Sequence, residues 1–321
     1  MRILVTGAMG FIGSNLVPRL LNAGHVVTGF DNFSNESINA AERIKKASGD
    51  NWGNFILYPG DICSPSALMT ALTIGKIDAV VHLAARGSVP LSFKTPSECV
   101  RINEYGFANL CEVMNQAGVK RLVFASSSSV YGDAQGVYRV EGNEGRPQSP
   151  YAVSKRQNED FARAYCGANG IAYVGLRFFN VYGPGQRFDS DFSAVIPKFI
   201  HSARPLINGD GLTIRDFTFV GDVARAIECA LEFTETKHEG VICNVGAGLG
   251  TSLITLCNLL GKEPEFGPAR AGDVAFSIAN TAYAEKAIGF TALTTVARGL
   301  QITKAFYERL ENGKESAEKT L

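Results

Sequence analysis

The glycine-rich turn near the start of the chain constrains the fold more than any other feature. Thr6-Gly7-Ala8-Met9-Gly10-Phe11-Ile12-Gly13 follows the apolar stretch Ile3-Leu4-Val5 directly and runs into a helical pattern. In such a strand–turn–helix, Gly7 permits the tight turn and Gly10 lets a phosphate approach the backbone. Gly13 lets helix and strand pack closely, with the phosphates at the helix N-terminus beside Phe11 and Ile12. Asp31 ends the second predicted strand, eighteen positions after Gly13, with Asn32 next to it. A carboxylate there accepts both adenosine ribose hydroxyls and repels a 2′-phosphate, so NAD is expected rather than NADP. A glycine-rich turn with a merely solvated aspartate is the bland alternative; the order and position of both parts argue against it.

The rest of the first half alternates short β-branched runs with longer amphipathic stretches. Strands are predicted at Ile3–Thr6, Val26–Phe30, Phe55–Tyr58, Ala79–His82, Arg121–Ala125 and Ala172–Leu176. Helices are predicted near Phe11–Ala23, Pro65–Leu72, Ser97–Ala117 and Pro150–Ala168. Alternation of this kind gives an α/β, Rossmann-type doubly wound parallel sheet with helices on both faces. Residues 1–176 are read as the dinucleotide domain and 177–321 as mainly a smaller substrate-binding α/β domain, with a return to the first domain near 217–233. Beyond Arg177 Gly, Pro, Asn and Asp are frequent, helical segments read as short, and Asn312–Leu321 reads as a frayed tail. Asp61-Ile62, after the third strand, is placed to flank the adenine. Leu83-Ala84-Ala85, after the fourth, is small enough to let the cofactor lie close. Each is equally an ordinary strand end.

Composition removes other classes. Lysine plus arginine equals aspartate plus glutamate at 31 each, which gives no electrostatic reason to expect nucleic acid or an anionic membrane as partner. The start of the chain does not read as a signal peptide, and no apolar run reaches the roughly 18 residues of a membrane span. Seven scattered cysteines, never spaced C-x-x-C, suit a reducing cytoplasm and supply no metal-ligand pattern, and the four lone histidines add none.

A second constellation carries chemistry. Tyr151 and Lys155 stand at i and i+4 at the start of a helix, on one face. Tyrosine is a poor base at its free pKa of about 10. A neighbouring ammonium and the positive nicotinamide of an oxidised cofactor favour the phenolate, and the lysine can also hold the nicotinamide ribose. A third hydroxyl is expected from Ser126-Ser127-Ser128-Ser129-Val130-Tyr131-Gly132 after the fifth strand. Alone, Tyr151 and Lys155 would read as a surface pair; beside the serine run and the glycine motif they read as catalytic.

On these motifs, together with Phe179-Asn180-Val181-Tyr182-Gly183-Pro184 and Arg215-Asp216-Phe217, the chain resembles the extended short-chain dehydrogenase/reductase family, in its NAD-dependent epimerase/dehydratase branch. The resemblance spans nearly the whole chain. It implies Ser127 as the catalytic serine beside Tyr151 and Lys155, with Ser128 as a second substrate contact. It adds Asn103 and Ser126 to the cofactor site. For a nucleotide-diphosphate sugar it implies Ser88, Asn180, Val195, Lys198, Asn208, Arg215, Arg270, Asp273 and Ser277. Planar guanidinium forks suit phosphate oxygens, although either arginine would also serve as a surface ion-pair partner.

The same resemblance separates reactions. Sugar-nucleotide dehydratases of this branch carry an Asp-Glu pair after a threonine in the serine strand, whereas Ser127-Ser128-Ser129 stands there in this chain. The expected reaction is therefore 4-epimerisation of a UDP-sugar by reversible hydride transfer through a 4-keto intermediate. Gly87-Ser88-Val89-Pro90 and the 270–277 stretch look most like UDP-N-acetylglucosamine 4-epimerases, in which a small residue at the position of Ser277 leaves room for an acetamido group. Leu91 stands where those epimerases usually carry arginine. UDP-glucose and UDP-glucuronate 4-epimerases remain alternatives, as do a dehydratase or reductase and, outside enzymes, a dinucleotide-sensing binding protein. A homodimer through the helices at Ser97–Ala117 and Pro150–Ala168, and a role in supplying polysaccharide precursors, are further implications of the resemblance.

Overall fold

The computed structural model describes residues 1–189, 194–237, 240–269 and 275–318. Seven parallel strands form its main sheet: β1 (Arg2–Thr6), β2 (Val26–Asp31), β3 (Phe55–Pro59), β4 (Ala79–His82), β5 (Arg121–Ser127), β6 (Ala172–Phe178) and β7 (Gly240–Val245). Their order across the sheet is β7-β6-β5-β4-β1-β2-β3. The chain reverses its winding direction between β1 and β4, and that switch point opens a crevice at the carboxyl edge.

Both faces of the sheet are covered, which is why the strands read as nearly continuous apolar runs. Val5, Val81, Val123 and Val174 point into one layer, with residues of the helices Phe11–Asn22, Ala40–Ser48 and Val220–Thr236. Leu4, Val80, Leu122 and Phe124 point into the other, with residues of Pro65–Gly75, Gly106–Gln116 and Ala162–Cys166. Helix starts follow their local chemistry: Ser64 and Ser149 accept from Ala67 N and Ala152 N, each followed by proline at the first helical position.

A smaller sheet, ordered Gly250–Ser252, Ile214–Asp216, Phe276–Ala279 and Tyr138–Arg139, meets the carboxyl edge of the main one. Asp216 is the joint. Its buried carboxylate accepts Ala247 N at 2.7 Å, Gly248 N at 2.9 Å and Ala279 N at 3.2 Å, so the loop after β7 and the small sheet are stitched together.

Several expectations need correction. The helix expected at Ser97–Ala117 is two α segments, Pro96–Val100 and Gly106–Gln116, joined by a five-residue π segment at Arg101–Tyr105. That expected at Pro150–Ala168 turns from α to π at Ala162–Cys166. Helices Ala40–Ser48 and Val89–Lys94 were not anticipated. Segments beyond Arg177 are not uniformly short: Val220–Thr236 has 17 residues and Val296–Glu318 has 23. The latter continues to Glu318, into the stretch expected to fray from Asn312, of which 319–321 lie outside the described residues. The return to the sheet also extends beyond 217–233, because β7 pairs with β6 at the sheet's edge.

Candidate active site

The glycine turn is built as its spacing demands. Gly7 has φ +71°, and a Cβ there would stand 2.7 Å from Ala84 N. A Cβ on Gly13 would stand 2.2 Å from Gly7 O, so the helix can approach the turn only through glycine. Gly10 caps the helix without any side-chain hydrogen bond, leaving the first-turn N–H groups at Phe11 and Ile12 without a capping side chain. Such an end is fit to receive a pyrophosphate. Asp31 accepts Met9 N at 2.9 Å on one oxygen and Phe33 N at 2.8 Å on the other, which steers the carboxylate while leaving each oxygen lone-pair capacity for a ribose hydroxyl. Asn32 accepts Ser34 N and shapes the loop that follows.

That loop is pinned at Ser37 and Ile38. Ser37 N donates to Met9 O at 2.8 Å, while Ile38 N and Ser37 Oγ both donate to Gly185 O, at 3.2 and 2.6 Å. Arg43 braces it with bonds to Ser37 Oγ, Asn15 Oδ1 and Pro184 O, and burial lowers its pKa to about 10. Nothing in the glycine fingerprint signalled Arg43; of these partners, Asn15 is 28 and Pro184 141 positions away in sequence.

The remaining expected cofactor contacts are placed as follows. Asp61 Oδ1 accepts Cys63 N at 2.8 Å and its other oxygen lies 3.7 Å from Arg101 Nη1, while the Ile62 side chain is buried in the core. Leu83 N and Ala84 N bond to Thr6, stitching the Leu83-Ala84-Ala85 loop onto the end of β1. Asn103 sits in the π segment and works as a brace. Its amide accepts Arg86 N at 2.7 Å and donates to Ser154 Oγ at 3.0 Å, joining that loop to the helix of Tyr151. Ser126 turns its hydroxyl away from the site, onto Glu159 at 2.6 Å.

The catalytic candidates converge at the carboxyl end of β5. Ser129 Oγ donates to Ser127 Oγ at 2.9 Å, and Ser127 in turn hydrogen-bonds the Tyr151 hydroxyl. Ser129 was not singled out beforehand, although the run of four serines carried the signal. Ser128 opens the turn Ser128–Tyr131 and is half-buried. Lys155 is buried, lies 5.9 Å from the centre of the Tyr151 ring and donates one N–H to Ala125 O at 2.8 Å. Two of its three ammonium protons thus remain for ribose hydroxyls. Burial pushes the Tyr151 pKa up and Ser127's hydrogen bond pulls it down. Burial lowers that of Lys155 to about 8, against the opposing pull of Cys99 and Glu159. A phenolate at Tyr151 would therefore need positive charge brought close to it, in addition to the hydrogen bond from Ser127.

The sugar-nucleotide candidates split into groups. Arg215 and Ser277 are register partners on adjacent parallel strands, and Asn180 Nδ2 donates to Asp216 O at 2.9 Å beside them, so these three come together. Asn208 pairs in register with Gly267, and Val195 and Lys198 lie on the helix Val195–His201. Ser88 caps the helix Val89–Lys94, accepting Leu91 N at 3.3 Å. Arg270 and Asp273 lie outside the described residues. Among the described residues no helix is long and apolar enough to cross a membrane and no cluster of potential metal ligands occurs.

This arrangement is that of a dinucleotide-dependent enzyme, and comparison with known proteins identifies its family. A family model for NAD-dependent epimerases/dehydratases matches residues 3–246, and the chain belongs to that family. It is 34% identical to a UDP-glucuronate 4-epimerase of Thermodesulfobacterium geofontis, over 94% of both chains. It is 33% identical to a UDP-glucose 4-epimerase of Mycolicibacterium smegmatis, over 96% of this chain and 98% of that one. Among solved structures, a UDP-glucose 4-epimerase of Stenotrophomonas maltophila with bound NAD and formylated UDP-arabinopyranose superposes with a TM-score of 0.90. It is 28% identical and the match covers 98% of this chain and 99% of that one.

Proposed function

We propose that this chain is an NAD-dependent 4-epimerase of a UDP-sugar. The observation that carries the reading is the hydroxyl chain Ser129–Ser127–Tyr151 with Lys155 beside it, at the sheet edge next to the glycine turn. Bound NAD supplies a reversible hydride acceptor for the sugar C4. As a phenolate, Tyr151 takes the proton of the 4-hydroxyl, and Ser127, already accepting from Ser129, is free to donate a hydrogen bond that favours that phenolate beforehand. Lys155 holds the cofactor ribose and contributes positive charge. Once the 4-keto sugar has turned over in the pocket, Tyr151 returns the proton to the C4 oxygen of the inverted alcohol. No net oxidation results.

The run Ser127-Ser128-Ser129 holds no Asp-Glu pair to serve as acid and base for elimination. The carboxylate that reaches the serine run, Glu159, is tied to Arg177 through both oxygens. This favours epimerisation over a dehydratase. The relatives' names favour UDP-glucose or UDP-glucuronate, while the small Ser277 beside Arg215 favours room for a 2-acetamido group. Residues 177–321 would supply most of the sugar-nucleotide contacts. Proton NMR of purified protein with UDP-GlcNAc, UDP-glucose and UDP-glucuronate tests the reading. A galacto-configured product without net NADH supports it, and no such product from any of the three rejects it.

A second copy of the chain is the proposed partner. Phe93, Val100, Tyr105 and Val153 are 61, 46, 52 and 39% exposed, on helical segments within 89–105 and 150–161. A monomer mass by light scattering at working concentration would refute the dimer. All seven cysteines are free thiols, which fits a reducing compartment such as the cytoplasm.

A further inference from the structure

A buried polar truss adjoins the catalytic residues, and the chemistry above uses none of its members. Ser126 and Arg177 are register partners on β5 and β6. Both grip Glu159. Ser126 Oγ donates to Glu159 Oε1 at 2.6 Å, while Arg177 donates Nε to Oε1 at 2.8 Å and Nη2 to Oε2 at 2.7 Å. Ser126, Arg177 and Glu159 are sealed from solvent, at 2, 1 and 0% exposure. Arg177 also donates to Glu144 at 2.5 Å and lies 4.8 Å from the centre of the Tyr131 ring, at the end of the serine turn.

The truss joins the two elements that must meet for catalysis. Glu159 follows Lys155 by four positions and Tyr151 by eight, on one face of their helix. Ser126 is the peptide neighbour of Ser127. Tyr151 and Ser127 therefore come from a helix and a strand whose relative position is set between them by Glu159. Apolar contact is non-directional and tolerates small slips of a helix on a sheet. A bidentate carboxylate–guanidinium pair fixes both distance and angle.

We infer that Glu159 is a positioning residue, holding the Tyr151 helix against the Ser127 strand while touching neither substrate nor cofactor. The inference rests on the catalytic roles proposed above. A misplacement of about 1 Å is enough to cost on the order of 100-fold in rate.

The test compares Glu159→Gln, Ser126→Ala and Tyr151→Phe in the NAD-loaded enzyme. Glu159→Gln is expected to lower kcat about 10- to 100-fold, with KM within about twofold of wild type and NAD content unchanged. Ser126→Ala leaves the Glu159–Arg177 pair intact and is expected to lower kcat by a smaller factor. In both, the acid limb of the kcat–pH profile moves to higher pH, because the hydrogen bond from Ser127 that favours the phenolate is loosened. A purely structural role would lower Tm without moving that limb. Wild-type kcat and pH profile in both variants overturn the inference, as does a kcat loss that tracks loss of NAD. Should Glu159→Gln fail to fold, Ser126→Ala decides alone. Full turnover by Tyr151→Phe would overturn the catalytic reading itself; an inactive Tyr151→Phe beside unaltered truss variants removes the positioning role alone.

Discussion

Lys155 is held at a cost to the stability of the cofactor-free protein, and that cost is measurable through its pH dependence. Burial lowers its pKa from 10.5 to about 8. Each pK unit corresponds to about 1.36 kcal/mol, so at pH 7 the folded, NAD-free chain forgoes roughly 3 kcal/mol by burying this ammonium. Between pH 8 and 10.5 the unfolded chain binds more protons at Lys155 than the folded chain does, so folding stability rises with pH across that window. At pH 9.5 the same linkage leaves a penalty of only about 1.4 kcal/mol. Lys155→Met keeps much of the side chain's bulk and removes the titration. Urea unfolding of both NAD-free proteins, followed through the single tryptophan, Trp52, gives the comparison. Wild type should gain about 2 kcal/mol relative to the variant from pH 7 to 9.5. A difference that stays constant would refute the burial argument, and one moving the other way would mean that the fold stabilises the ammonium.

Three further outcomes follow from the site. Tyr151→Phe should lower kcat by about 10²- to 10⁴-fold with UDP-sugar affinity kept, measured by coupled assay and calorimetry. Gly13→Ala brings a Cβ to 2.2 Å from Gly7 O and 2.8 Å from the Ala8 backbone, so the turn must shift. Its purified protein should show depleted NAD by the ratio of absorbance at 260 and 280 nm, and full occupancy would contradict the cradle geometry. Ser277→Tyr should cut kcat/KM for UDP-GlcNAc by at least about tenfold while sparing UDP-glucose within a few-fold. Equal losses on both sugars would remove Ser277 as a gate.

The sheet was legible in the sequence because each of its first six strands is an apolar run bounded by turn or helix signals, and the glycine spacing marked the tight turn between the first strand and its helix. β7 was missed because Gly240–Val245 follows a long helix and lacks a motif of its own. The nearness of Lys155 to Tyr151 was legible from the spacing of one helix turn, and the serine run at the end of β5 from its place after the fifth apolar run. The supporting residues were not. Glu159 and Arg177 are 18 positions apart, and Arg43 and Pro184 are 141 apart. Charged side chains at such separations read as solvated surface until folding brings them together. The π segment at Arg101–Tyr105 was invisible for a related reason, since its amphipathic pattern differs from an α-helix by a single residue.

That single residue has a consequence for how the chain can vary. A π turn is an α-helix that has absorbed one extra residue, and each residue advances a helix by about 100°. The wider turn takes that residue up locally between Pro96–Val100 and Gly106–Gln116, and Asn103, within it, holds the loop after β4 to the Tyr151 helix. Losing one residue in 101–105 would close the turn to a regular helix with its flanks nearly in phase, but would draw Asn103 away from the position in which it reaches both Arg86 and Ser154. The wide turn thus serves the bridge more than the helix. Substitutions elsewhere in 101–105 alter one contact each, whereas a change of length would disturb both ends of that bridge at once.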